Sequence, residues 1–401
     1  MSSRSAVLAS LLLAGAALAQ SDEGAGPKPP KSWDWVLVYY MNYDNNLEPC
    51  GRPILDMLQQ GLASDRVAIT CQADFRGDDG LRRYVLTRAE GETCERLPDE
   101  EGSAEEETLA AYLEWVKQRF PGKKYALVFL DHGGALGEMS QDEHPGREGG
   151  QNWLEVTETA KVVAEWRKQL GGSLELMFLQ QCGKGGLENY HAFRGAAKVL
   201  MGSQTPVGAP NTYYAKTVEW VGEHPEADGV ALARTIRETE SPRMFTTYSA
   251  FHGEALEELP ARLGPVLEPL LARGKELALP RGIKSCFQSP PDELFFDGIQ
   301  LLRALYQANQ LELAPVEAFD AWARETLLAG HSVSPLRERV AKDWCGYSLY
   351  FPVTGRAIER YAHYPLFQET KLPQLFSELQ AARRRTLPAG APRGKPDRQK
   401  E

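Results

Sequence analysis

Apolar runs of strand length alternate along the first half of the chain with segments that keep helical spacing. The runs are Trp35–Met41, Tyr125–Leu130 and Leu174–Leu179, and each is almost wholly apolar. Short runs of this kind are typical of strands that are buried on both faces. Connections of helix length separate them, and tight hairpins are therefore excluded. The pattern predicts an α/β sandwich with a mostly parallel central sheet.

Further elements follow from the same signals. Ser103 and Glu106 form a capping-box pattern ahead of apolar residues at helical spacing, so Ser103 is expected to cap that helix. Additional strands are predicted at Val67–Cys71, Arg83–Leu86 and, late in the chain, Tyr347–Phe351. The second half is otherwise helical in pattern, over residues 225–240, 253–278 and 298–328.

The N-terminus indicates the compartment. Arg4 precedes a mostly apolar run that is too short to span a bilayer, and Ala17-Leu18-Ala19 has the small-x-small form that signal peptidase accepts. Residues 1–19 are therefore predicted to be a cleaved signal peptide, with a retained anchor as the alternative. The mature protein is expected to be secreted or periplasmic and, after signal cleavage, not to engage a membrane.

The composition and pattern of the remaining residues indicate four segments. Residues 20–32 are rich in Gly and Pro and predict a flexible leader. We expect an α/β core over 33–215, a mainly helical part packed on it over 216–382, and a disordered basic tail over 383–401. The net charge of −10 argues against nucleic acid as a partner.

Six cysteines follow the predicted signal peptide. In an oxidising compartment an even number suggests disulfides. If Cys182 stays a free thiol, at most two bridges form, and the spacing does not say which. There is no CxxC pair, which argues against a zinc ribbon or a thioredoxin-type site.

Two predicted strands end in reactive side chains. Asp131-His132-Gly133 follows the strand that ends at Leu130, and Cys182 comes three residues after Leu179. In open α/β sheets, ligands bind beyond the carboxyl ends of the strands. The helix that connects these two strands makes them parallel, and we expect them to be neighbours.

A cysteine and a histidine at one sheet edge can share a proton, and the imidazole can later protonate a leaving amine. The N–H groups of Gly133 and Cys182 could form an oxyanion hole. The alternative interpretation is structural: a hydrogen-bonded histidine, and a cysteine that belongs to a disulfide. Spacing alone leaves both open.

Several segments of the chain resemble the clostripain family in the caspase-like clan of cysteine peptidases. Tyr40–Glu48 is similar to the family's opening "YMAADNDLE", and Gly346–Pro352 to its late "GLSIYFP" strand. The block that ends in Asp131-His132-Gly133 resembles the family's histidine block, and residues 182–203 match its cysteine block without a gap. The resemblance runs from about Trp33 to Phe376.

This resemblance implies a caspase-like three-layer sandwich with a helical C-terminal half. It also implies a cysteine endopeptidase, exported according to the predicted signal peptide, with His132 and Cys182 as the catalytic dyad and a peptide or protein as substrate. No cofactor is required, and no metal site is assigned.

Two departures from the family affect the substrate-binding positions Gln180, Ser203 and Gln204. The family usually has Asp where this chain has Gln180, and commonly has Glu after the serine, where this chain has Gln204. Without these carboxylates, the desolvation of an Arg or Lys side chain would go uncompensated. We expect the P1 preference to shift away from Arg and Lys, unless acids elsewhere in the fold restore it.

Other candidates remain open. Asn42 and Asp44 could orient His132, or could simply form an Asx-turn. The acidic loop Asp74–Gly80 is compatible with calcium but lacks EF-hand spacing. Two rival functions are a non-catalytic exported binding protein that keeps the fold, and a metal-dependent hydrolase that uses His132, His144 and Cys182.

Overall fold

A computed structural model describes residues 32–76, 80–97, 102–145, 150–289, 293–352 and 355–386. The predicted signal peptide, nearly all of the leader, and the tail from residue 387 lie outside these residues. Residues 383–386 were assigned to the tail, but they complete a helix that ends at Thr386. Within the described residues, no helix has the length and apolarity needed to cross a bilayer.

The described residues contain fourteen strands. They are β1 (Trp33–Tyr43), β2 (Val67–Phe75), β3 (Arg82–Thr87), β4 (Gly91–Arg96), β5 (Gly122–Leu130), β6 (Glu138–Gln141), β7 (Trp153–Glu155), β8 (Leu174–Gln180), β9 (Val199–Gly202), β10 (Thr247–His252), β11 (Phe287–Gln288), β12 (Glu293–Asp297), β13 (Leu328–Val333) and β14 (Ser348–Pro352).

The α-helices of the same residues number thirteen. They are α1 (Glu48–Gly61), α2 (Glu106–Arg119), α3 (Val156–Gln169), α4 (Leu187–Ala192), α5 (Tyr214–Glu223), α6 (Gly229–Thr239), α7 (Leu259–Leu271), α8 (Gly298–Ala308), α9 (Ala314–Trp322), α10 (Glu338–Ala341), α11 (Gly355–Arg360), α12 (Pro365–Glu369) and α13 (Leu372–Thr386).

Nine strands form the central sheet, in the order β13-β10-β9-β8-β5-β1-β2-β3-β4. The five from β9 to β2 are parallel, and antiparallel pairs flank them on both sides. The predicted parallel strands of the first half are therefore confirmed. The predicted helices of the second half are also present. That half adds β10 and β13 to the sheet edge, which the sequence patterns did not predict.

Each face of the sheet carries its own hydrophobic core. On one face, side chains of α1, α5 and α6 pack on alternate residues of β1 such as Leu37 and Tyr39. On the other face, α2, α3, α4 and α7 cover Val36 and Val38. The alternation of side chains along a strand sends neighbouring apolar residues to opposite faces, which explains why these strands are apolar throughout. The result is a three-layer sandwich.

The predicted capping box is wrong. Helix α2 begins at Glu106, its N-cap is Glu105, and no side chain caps it. Ser103 instead turns to the loop beyond β6, where its N–H and its hydroxyl both donate to Asp142 Oδ2, at 3.0 and 3.1 Å. Hydrogen bonds to a carboxylate are stronger than those between neutral groups, and this explains why Ser103 turns to Asp142 rather than to the helix N–H groups.

Candidate active site

The ends of β5 and β8 bring the predicted histidine and cysteine to one edge of the sheet. The two strands are parallel neighbours, and Leu130 pairs with Gln180 in their register. His132 and Cys182 each lie two residues beyond that pair. The sequence expectation that their strands are parallel and adjacent is confirmed.

Gly133 is the point where the two loops touch. A Cβ atom built on Gly133 would lie 2.9 Å from the carbonyl carbon of Cys182 and closer still to its oxygen. Any side chain would push the two loops apart, because carbon atoms in contact normally lie about 3.5–4.0 Å from each other. The backbone that follows the histidine is therefore pressed against the cysteine.

His132 is held by polar contacts on both its ring and its backbone. Its Nε2 lies 2.6 Å from Oδ1 of Asn46, in the loop after β1. Its carbonyl accepts from Gln181 Nε2 at 3.1 Å and from Ser140 N at 3.2 Å. Because an amide oxygen only accepts, Nε2 carries the proton and Nδ1 is the basic nitrogen.

Among the described residues, the two side chains proposed to orient His132 make their hydrogen bonds to other groups. Asn42 donates to the Ser103 carbonyl at 2.8 Å, and the Asp44 carboxylate binds the ring of His144, with Oδ2 2.9 Å from Nδ1. Asn46, which sequence analysis missed, makes the contact instead. Its position in the family-like segment Tyr40–Glu48 was visible, but the direction of its side chain was not.

The Cys182 thiol is half-buried beside Val207, whose N–H points at Sγ from 3.4 Å. Burial raises the pKa of this thiol, and the Val207 N–H and the Lys184 ammonium oppose that rise. Burial also lowers the pKa of His132, against the opposing charge of Glu143. In the described residues the ring and the thiol share no hydrogen bond. Both shifts favour a neutral thiol beside a neutral imidazole.

Backbone hydrogen bonds fix the loop that carries the cysteine. Gly183 N donates to Thr205 O at 3.1 Å, and Gly185 N donates to Ser203 O at 2.7 Å. On its other side, Gly185 O accepts from Ser348 N at 2.9 Å. The loop is thus held between the end of β9 and the late strand β14.

Gln180 and Gln204 are both buried and both bonded within the protein. Gln180 Nε2 donates to Asn211 Oδ1 at 2.5 Å and to the Tyr214 hydroxyl at 2.7 Å. Its Oε1 accepts from the Tyr213 hydroxyl at 2.5 Å. Gln204 Nε2 donates to Asp297 at 3.1 Å.

Ser203 closes β9, and its hydroxyl lies 3.0 Å from that of Thr205. Together with the glutamines, it forms a neutral wall next to the cysteine loop.

A profile of the clostripain family matches residues 39–256, more than half of the chain. This chain belongs to the clostripain family. The match includes both His132 and Cys182, and it extends through β10 into the second half. A search of curated proteins finds no match.

Solved structures give the same fold for this clostripain-family chain. An inactive zymogen of a C11 protease from Parabacteroides distasonis is 17% identical, with a TM-score of 0.65 over 85% of this chain and 99% of that one. A secreted C11 cysteine protease from Bacteroides thetaiotaomicron, solved with an irreversible peptide inhibitor, is 13% identical, with a TM-score of 0.60 over 84% and 98%. The caspase-like α/β sandwich is confirmed.

Family and fold together make the chain a cysteine-type endopeptidase. Its substrate class is therefore the peptide bond, and the binding-protein alternative is not retained. The six cysteines, all within the described residues, are free thiols. The disulfides expected from their even number are absent, and Cys182 is available for chemistry.

The metal-hydrolase alternative is wrong in its ligands. His132 and His144 bind different partners, Asn46 and Asp44. Among the described residues, the one group placed to hold a metal ion consists of the carboxylates of Asp44, Asp74 and Asp142, with oxygens within 4.8 Å of one another. This group contains no cysteine and no histidine, and its acidic oxygens suit a hard cation such as calcium.

Proposed function

We propose that this clostripain-family peptidase is an exported enzyme whose catalytic dyad is Cys182 and His132. The observation that carries the proposal is the backbone contact at Gly133, which brings the residues after two parallel strands against each other. Nε2 of His132 is bonded to Asn46, which leaves Nδ1 to take the thiol proton.

The reaction then has two halves. The Cys182 thiolate attacks the peptide carbonyl carbon, the C–N bond breaks, and the departing amine takes its proton from His132. Water next attacks the thioester, gives a proton to the imidazole, and releases the acid and the thiol. We assign the oxyanion hole to the N–H groups of Gly133 and Cys182. In the described residues, neither N–H donates to another residue.

A thiol-directed peptide probe tests the dyad. We expect it to label the wild type and Cys94→Ala, since Cys94 is an exposed thiol on the edge strand β4. Cys182→Ala should neither be labelled nor cleave peptides. Retention of full peptidase activity by Cys182→Ala would exclude the proposed nucleophile.

We further propose a P1 preference for neutral residues. Gln180 and Gln204 carry no charge, and the acids bonded to their networks are already engaged. Asp297 accepts from Gln204 Nε2, Gln300 N and Cys345 N. Glu240, reached from Gln180 through Asn211, is bonded by four donors. These are Asn211 Nδ2, the N–H and hydroxyl of Thr212, and Ser241 N. A carboxylate so engaged has little capacity left for an Arg or Lys side chain of the substrate.

Peptides that differ only at P1 test this preference. The isosteric variant Gln180→Glu provides a second, more specific test. We expect neutral P1 residues to be cleaved faster than Arg by the wild type. Gln180→Glu should raise the ratio of Arg to neutral cleavage, about tenfold for a gain of roughly 1.4 kcal/mol. Gln118→Glu, on the exposed side of α2, adds the same charge far from the site and should not. A wild type that prefers Arg would refute the proposal.

Export and cofactors complete the proposal. Cleavage after Ala19 would leave a mature chain that begins at Gln20, and N-terminal sequencing of the exported protein tests this. The acidic composition supports neither nucleic acid nor an anionic membrane as a partner. Catalysis by a thiol needs no metal. If calcium binds, we expect the carboxylates of Asp44, Asp74 and Asp142 to coordinate it and the bound ion to stabilise the fold.

A further inference from the structure

Lys184 lies two residues after the cysteine and is buried, with only 1% of its surface exposed. Its ammonium donates to two backbone carbonyls of the loop that follows His132, Ala135 O at 2.5 Å and Leu136 O at 3.3 Å. A side chain from the cysteine loop therefore reaches across and holds the histidine loop.

The charge of Lys184 has no direct counter-ion in these contacts, because both acceptors are neutral. Glu138, Glu155 and Glu293 face it through space, as does Cys182 itself. Burial nevertheless dominates and lowers the pKa of Lys184 to about 7. A buried lysine without an ion pair is costly, and such groups concentrate at functional sites.

The histidine loop has other anchors around the same point. Leu136 N donates to Glu293 Oε2 of β12 at 2.9 Å, and Leu136 O also accepts from the Tyr364 hydroxyl at 3.0 Å. Ala135 N donates to Glu138 Oε2 at 2.8 Å. Lys184 is the member of this group that links the loop to the cysteine, and it is the member that brings positive charge.

We propose that Lys184 is a positioning residue of the peptidase: its ammonium clamps the histidine loop onto the cysteine loop and favours the ionised thiol of Cys182. The inference rests on the proposed dyad. It predicts that support for the thiolate is complete while Lys184 is protonated and weakens as the pH rises through the titration of Lys184, in the field of Glu138, Glu155 and Glu293.

Two substitutions separate the clamp from the charge. Lys184→Gln keeps a hydrogen-bond donor but is neutral, and Lys184→Met removes both. Lys161→Met is the matched control, because Lys161 is exposed on α3 and, within the described residues, forms its ion pair with Glu158. The readouts are the rate of Cys182 alkylation by iodoacetamide against pH, followed on the Cys182 peptide, and deuterium exchange of the peptide that contains residues 132–137.

We expect both Lys184 variants to alkylate Cys182 about tenfold more slowly than the wild type below pH 7, where Lys184 is protonated, and this difference to disappear well above pH 7, where Lys184 is neutral. Exchange in the histidine loop should rise most in Lys184→Met. The Lys161→Met control should match the wild type in both measurements.

An alkylation profile of Lys184→Gln that superimposes on the wild type would overturn the proposal, even if exchange rises in Lys184→Met, because Lys184 would then be only structural. If Lys184→Met does not fold, Lys184→Gln decides. Alkylation does not depend on turnover. An active Cys182→Ala would thus exclude the proposed dyad, whereas an alkylation rate of Lys184→Gln that equals the wild-type rate below pH 7 would exclude only the role of Lys184.

Discussion

A single methyl group at Gly133 is predicted to disable the enzyme. The added Cβ of Gly133→Ala would lie 2.9 Å from the Cys182 carbonyl carbon and 3.2 Å from its nitrogen, so both backbone neighbours must yield. Restoring contact at about 3.5–4.0 Å requires the two loops to separate by at least about 1 Å, because the Cys182 carbonyl oxygen would lie closer still to the added Cβ. Misplacement of reacting groups by that distance costs about a hundredfold in rate.

The cost in stability should be smaller than the cost in rate. Overpacking of this kind destabilises a protein by about 1–3 kcal/mol. The assay is kcat/KM on a fluorogenic peptide together with a urea unfolding curve. Gly264→Ala is the control, because a Cβ at that position of α7 meets nothing within 4 Å. It should keep full activity and stabilise the helix by roughly 0.5–1 kcal/mol.

If Gly133→Ala keeps kcat/KM within about threefold of the wild type, then a displacement of about 1 Å between the two loops does not slow the reaction, and the prediction is wrong. A large loss of activity that only parallels global unfolding would also refute it. The two curves together therefore distinguish misplacement from collapse of the fold.

Three further outcomes are expected. Asn46→Ala should lower kcat about ten- to hundredfold with little change in KM, because the His132 ring loses its acceptor; Asn46→Asp should move the acid limb of the kcat/KM profile upward, because a carboxylate favours the imidazolium. In the wild type, that limb should lie below pH 6.5, since burial lowers the pKa of His132 and the neutral ring is the base; a limb above pH 6.5 would contradict the assignment. Activity should survive EDTA and be abolished by iodoacetamide, and the reverse pattern would favour a metal hydrolase.

The sequence was sufficient to locate the strands of the site, because their apolar runs end abruptly in polar residues. The strands that lead to His132 and Cys182 could be located because burial on both faces demands almost wholly apolar stretches of a definite length. Their parallel order followed from the helix between them. The side of the sheet formed by β10 and β13 was not predictable in this way, because these two short strands lie among long segments with a helical pattern.

The details of the site depended on contacts between distant residues. Ser103 follows a capping pattern, but a carboxylate far along the chain takes its hydroxyl. Asn42, Asp44 and Asn46 are short polar residues that lie close together in the sequence, and the sequence alone does not distinguish them. The turn after β1 places Asn46 against His132. Lys184 carries no functional signal of its own in the sequence. It lies buried against the loop after His132 and in the field of Glu155 and Glu293, and such contacts between distant residues are not encoded by a local pattern.

The hydrogen bond between Gly185 and Ser348 also bears on when, during synthesis of the chain, the active site can form. The loop that bears the reactive thiol is braced by a strand made near the end of synthesis, so a growing chain can assemble most of its sheet without a finished reaction centre. We expect the enzyme to stay inactive until β14 is in place. A chain that is truncated before β14 should therefore keep the fold of its first half but show no peptidase activity.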